Sequence, residues 1–244
     1  MSATATDAPR PPLAKDELVA WLQREGKRRY HDLHPFHVRM HEGSLTKAEL
    51  QRWVQNRYYY QTRIPIKDAL ILSKSEDAAF RRGWLQRIVD HDGTAPGEGG
   101  LELWLRLAEG LGLERAEVMS FRRVLPGVRF ACDDYVTFVR ERTLLEAVAS
   151  SLTEFFAPDL MQERTLAWEQ HYTFVERAAL EYFRSRVPRA RRDSEQALAY
   201  VLHAAQTFEL QQRAVAALVR KTEILWHLLD CVAGAPASPT QVPT

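Results

Sequence analysis

Three consecutive tyrosines, Tyr58, Tyr59 and Tyr60, stand in the run NRYYYQTRIPIK between Arg57 and Arg63. Successive side chains on a helix are rotated by about 100°, so the three phenols cannot share a face. A helix carrying them must be met on more than one side, part of the aromatic surface by a core and part by a cavity or a partner. Thr46 followed by Glu49 is a capping-box pattern that opens this helix and carries it toward Leu72. Pro65 lies inside it, removes one donor and predicts a kink. Arg57 and Gln61 lie on one side, a turn apart. A guanidinium fork beside an amide suits a planar carboxylate; a solvated amphipathic face is the alternative.

The rest of the chain also has helical punctuation. A helix opens at Lys15 or Asp16 and runs to about Tyr30, and Pro35 interrupts or starts the next. Ser75 caps a helix ending near His91, before the loop HDGTAPGEGG. Helices follow over LELWLRLAEGLGL, over 114–123, from Cys132 or Asp133 through Ala149, and around 159–169 and 172–183. Pro188 marks a break, and 193–229 reads as one long helix. No segment shows alternating strands, and no glycine-rich phosphate loop follows a strand-like run. The expectation is an all-α irregular bundle in one domain, 13–230, with flexible tails at 1–12 and 231–244. Spaces between bundle helices commonly hold small molecules.

Lysine plus arginine number 33 against 32 acidic residues, a formal charge of +1. That balance argues against a general nucleic-acid binder, though not against a buried basic pocket. The two cysteines, Cys132 and Cys231, form neither a disulfide framework nor a metal knuckle. No apolar signal core opens the chain, and no charge-free stretch reaches about 18 apolar residues. A soluble cytoplasmic protein with no membrane partner is expected.

Several groupings could carry chemistry. His31, His34, His37 and His41 are spaced three, three and four apart, as metal ligands or as interhelical histidines. There is no Glu-x-x-His pair and no His-Glu-x-x-His motif. Arg87/His91, Tyr182/Arg186 and Glu223/His227 repeat the i,i+4 spacing of Arg57/Gln61. Each is either a bracket around a ligand or an ordinary helix-face pair. Lys221, amid apolar turns, either snorkels to water or enters an internal anionic pocket.

The segments YHDLHPFHVRMHEG, NRYYYQTRIPIKDA, IVDHDG, SLTEFFAP, EYFRSR and KTEILWHLLD closely resemble the pyrroloquinoline-quinone synthase family, from about Leu18 to Asp230. The resemblance implies a heme-oxygenase-like fold shared with thiaminase-type proteins. It implies ring closure of a bicyclic amino-acid-derived precursor and its oxidation by molecular oxygen, releasing hydrogen peroxide. It implies no metal, no redox cofactor and a homodimer. The family's site residues fall on Tyr30, His31, His91, Tyr182 and Arg186 as catalytic groups. Arg57, Gln61, Arg87, Tyr135, Thr153, Arg164 and Lys221 fall at substrate-binding positions. Met161 departs from the pattern, standing where relatives carry a histidine; a thioether cannot shuttle a proton. A thiaminase-like enzyme of the same fold and a non-catalytic carrier of the quinone or its precursor are the alternative readings.

Overall fold

In the computed structural model, which describes residues 10–235, every regular element is a helix. The order is α1 (Lys15–Lys27), a 3₁₀ turn at His31–Leu33, α2 (Pro35–His41), α3 (Lys47–Ser73), α4 (Ala78–Asp92), α5 (Gly99–Gly110), α6 (Arg115–Met119), α7 (Pro126–Glu141) and α8 (Leu144–Ala149). A 3₁₀ stretch at Ser150–Phe155, α9 (Ala157–His171), a 3₁₀ turn at Arg177–Leu180, α10 (Glu181–Ala204) and α11 (Phe208–Gly234) complete it. The architecture is the expected all-α irregular bundle. Among the described residues no helix is long and apolar enough to cross a membrane.

The bundle is organised around α3. The Thr46 hydroxyl accepts from Glu49 N at 3.2 Å and the Glu49 carboxylate accepts from Thr46 N at 2.8 Å, closing the expected capping box. α4, α5 and α7 pack around this helix, which is why its buried residues fall on nearly every side. All three tyrosines are buried, each in its own setting. Tyr58 meets Phe121 at 5.9 Å between ring centroids, Tyr59 donates to Asp133 at 3.0 Å, and Tyr60 lines an internal cavity. Pro65 sits within α3 and has no N–H, so the carbonyl of Gln61, one turn earlier, lacks its intrahelical donor.

Several boundaries differ from the sequence expectation. Asp77, not Ser75, caps α4, its side chain accepting from Ala79 N at 2.8 Å. The helix expected through Ala149 is two helices. Pro126 in the first turn starts α7 earlier, and a second capping box, Thr143 with Glu146, opens α8 after a break at Arg142. Pro188 does not break α10; it sits within that helix. Phe183, Ala190, Ala197 and Val201 bury the helix on both sides of the proline, offsetting the roughly 3 kcal/mol it costs. Residues 193–229 are likewise not continuous. The backbone leaves the helix at Ala205 (φ −85°, ψ 68°), and Thr207 restarts it by accepting from Leu210 N at 3.2 Å. At the C-terminal end α11 continues to Gly234, beyond the tail boundary expected at 231. Of the other tail positions, 10–12 precede the first helix, and 1–9 and 236–244 lie outside the described residues.

Candidate functional site

A small cavity lies where α3, α9 and α10 converge with the two 3₁₀ segments at His31 and Thr153. Tyr30, His31, Arg57, Gln61, His91, Thr153, Arg164, Tyr182 and Arg186 all line it. The fold thus brings together side chains from five regions of sequence. Arg87, Tyr135 and Lys221, also expected at the site, do not line the cavity. Lys221 Nζ lies 3.3 Å from the centroid of the Tyr135 ring and 4.4 Å from that of cavity-lining Tyr60. Arg87 stacks on Trp84 at 3.9 Å and reaches Asp193 on α10.

The wall is electropositive and underpaired. Among the described residues Arg57, Arg164 and Lys221 have no carboxylate partner, although Arg164 and Lys221 are each 2% exposed. Arg57 Nη1, Arg164 Nε, Arg186 Nη1 and His31 Nδ1 have no protein hydrogen-bond partner. A buried cation without a counterion is costly, and the pKa directions show it. Burial, with Arg57 nearby, brings the Arg164 guanidinium down to about 9, so it stays cationic at neutral pH. Burial, with Arg57 and Lys67 nearby, depresses the Lys221 ammonium well below its usual range.

Arg186 is the exception. Its Nη2 donates to Glu154 at 2.6 Å. Burial opposes its charge, but Glu154, Tyr182 and Asp193 outweigh that and raise its pKa. Gln61 Oε1 accepts from the Tyr182 hydroxyl at 2.8 Å, so the Gln61 amide N–H groups are the part left for a ligand. Burial also raises the Tyr182 phenol, which keeps its proton.

The histidines divide by role. His91 Nδ1 lies 3.0 Å from the carbonyl of Arg87. A carbonyl only accepts, so Nδ1 carries the proton and Nε2 holds the lone pair. Burial and Arg186 lower His91 to about 4, which makes it a neutral base at physiological pH. His31 is likewise held well below its usual range by burial, Arg57 and Arg164. His37 donates from Nδ1 to the His31 carbonyl at 2.8 Å and accepts from Arg164 Nη2 at its Nε2, 3.3 Å away. His34 caps α2 by accepting from Phe36 N at 3.0 Å, and His41 meets Glu163 at 3.1 Å. Among the described residues no three His, Cys, Asp or Glu side chains are grouped to hold a metal ion.

Sequence reasoning did not place Glu154 or Tyr60 among the site residues. Glu154 follows Thr153 in a 3₁₀ stretch, where no helical period flags a face. Tyr60 could have been found, because Arg57 three residues earlier stacks on its ring at 3.9 Å. Met161, the departure from the family pattern, does line the cavity, one turn before Arg164.

The TENA/THI-4/PQQC family matches residues 20–231. A pyrroloquinoline-quinone synthase from Acidiphilium cryptum (strain JF-5) is 52% identical over 95% of this chain and 94% of its own length. One from Rhizobium meliloti (strain 1021) is 53% identical, covering 98% of this chain and 91% of its own. Among solved structures, a heme-oxygenase-like domain of unknown function from Shewanella denitrificans superposes with a TM-score of 0.72 at 14% identity, covering 91% of this chain and 92% of that one. A TenA homologue from P. horikoshii OT3 reaches a TM-score of 0.71 at 11% identity, over 88% of this chain and 97% of its own. These structures share the fold.

Proposed function

The chain belongs to the TENA/THI-4/PQQC family and, within it, to the pyrroloquinoline-quinone synthases, and we propose that it closes the ring of a bicyclic, amino-acid-derived precursor and oxidises it with molecular oxygen to pyrroloquinoline quinone. The observation that carries this reading is the pairing of unpartnered cations with neutral imidazoles around one cavity. A substrate with several carboxylates supplies the missing counterions to Arg57 and Arg164, with Gln61 and Thr153 as further polar contacts. Held there, the substrate presents ring protons to a base. Neutral His91, with its Nε2 lone pair free of the Arg87 carbonyl, is suited to take one, and His31 is a second candidate with Tyr30 beside it. Deprotonation makes the ring electron-rich, so it can deliver electrons to oxygen without a metal or redox cofactor. Each oxygen molecule takes up two electrons and two protons and leaves as hydrogen peroxide. Tyr182 keeps its phenolic proton, and Arg186 keeps its charge. Arg186 can stabilise the charge on reduced oxygen, and the Tyr182 phenol can supply a proton by giving up its hydrogen bond to Gln61.

Metal-stripped protein incubated with precursor and oxygen should yield quinone and peroxide. Tight binding with the ligand unchanged points instead to a carrier, and activity restored only by added iron overturns the metal-free reading. The active assembly is proposed to be a homodimer. Sedimentation should show twice the 28.1 kDa of one chain, and a monomer at micromolar concentration contradicts this.

A further inference from the structure

The two brackets Arg87/His91 on α4 and Tyr182/Arg186 on α10 meet at a side chain that belongs to neither. Asp193 lies two turns beyond Arg186 on α10 and is 2% exposed. Its Oδ2 faces Arg186 Nη1 at 3.7 Å, and its Oδ1 faces Arg87 Nε at 4.0 Å. Neither nitrogen has a hydrogen-bond partner among the described residues. The backbone carbonyl of Asp193 also accepts from Arg87 Nη2. On the outer side, half-exposed Arg192 donates to Asp193 Oδ1 at 2.7 Å and also binds Asp90. Arg186 is therefore clamped between Glu154 in the cavity wall and Asp193 behind it. Burial disfavours an Asp193 carboxylate, but Arg87 and Arg186 outweigh that and lower its pKa, so the charge is present at neutral pH.

We propose that Asp193 is a positioning residue: it holds the guanidinium groups of Arg186 and Arg87 from behind and lowers the net positive charge felt in the cavity. The rate arm of the test rests on the oxidase reading above; the affinity arm does not. Asp193→Asn keeps the volume and removes the charge. Arg186 and Arg87 then lose a counterion and attract anions more strongly, so affinity for pyrroloquinoline quinone, used as a tricarboxylate probe, should rise about three- to tenfold. Arg186 also loses its fixed direction, so kcat should fall by about tenfold or more. A merely structural role moves both quantities toward loss, whereas positioning separates them. Asp193→Glu keeps the charge but shifts it by one methylene; affinity should stay within about twofold of wild type while kcat falls.

Titration of the probe and single-turnover rates on folded protein, checked by circular dichroism, give both readouts. Weaker probe binding by Asp193→Asn, or unchanged affinity and rate, overturns the proposal. If that variant does not fold, Asp193→Glu decides: unchanged affinity with a lower rate supports it, and loss of both overturns it. Wild-type protein that binds the probe but leaves the precursor unchanged removes the oxidase reading. The order of affinities, Asn variant above wild type, then decides Asp193 alone.

Discussion

His91 shows how one backbone contact can fix the tautomer of a buried imidazole. The Arg87 carbonyl accepts a hydrogen bond from Nδ1–H at 3.0 Å, and burial beside Arg186 holds the imidazole near pKa 4 instead of 6.5. That depression has a stability consequence of definite sign. In the unfolded chain the ring takes up a proton as pH falls below 6.5, while in the native protein it does so only near 4. The native state is therefore penalised progressively from pH 6.5 down to about 4, by roughly 3 kcal/mol for this residue at the lower end. His31 and His37, also fully buried, are depressed in the same direction and add to the loss. Melting temperature measured from pH 7.5 to 4 should fall through this window, and the fall should be shallower in His91→Asn. Parallel curves for the two proteins would show that His91 is not the neutral buried base described here. The spacing of the four histidines could not distinguish these duties. Each is decided by what lies opposite: the Arg57 and Arg164 cations for His31, a carbonyl for His37, an N-terminal amide for His34, and a carboxylate for His41.

Among the elements, α3 was the most legible in the sequence, and the reasons are local. A reciprocal capping box is a short-range pattern, and three adjacent aromatics force a many-sided environment whatever their neighbours are. Arg57 and Gln61 could be placed on one wall from i,i+4 spacing alone. The junctions were less legible where tertiary packing outweighed a local signal. Pro188 looks like a stop, yet burial along α10 carries the helix through it. The break at Ala205 has no proline or glycine, and only the Thr207 cap marks it. The same limit applies to Arg87 and Lys221. Spacing sets the side of a helix from which a side chain leaves, but a long side chain ends where its partners are. Arg87 goes to Trp84 and Asp193, and Lys221 to the faces of Tyr60 and Tyr135. Those partners lie far away in sequence or, for Trp84, on the same helix but one turn back.

For the molecule as a whole, a net charge of +1 conceals an uneven distribution. Most surface arginines sit in ion pairs such as Arg115 with Glu102 and Glu109, or Arg220 with Asp134. Among the described residues, half-buried Arg57 and buried Arg164 and Lys221 have no carboxylate partner. The free protein therefore carries a desolvation penalty that the proposed polycarboxylate ligand would relieve. Binding to the native state alone stabilises it by about 2.7 kcal/mol when ligand is at a hundred times its Kd. For a chain of this size that corresponds to a rise in Tm of roughly 5–10 °C. Pyrroloquinoline quinone should produce such a rise. Its trimethyl ester, with the same ring but no carboxylate charge, should produce far less. Arg57→Ala should shrink the shift for the free acid while leaving the small ester shift nearly unchanged, because only the charged ligand uses that guanidinium. Differential scanning fluorimetry with both compounds on both proteins makes the comparison. Equal shifts for acid and ester would mean that ring burial, not charge pairing, holds the ligand, and the cationic wall would then need another explanation.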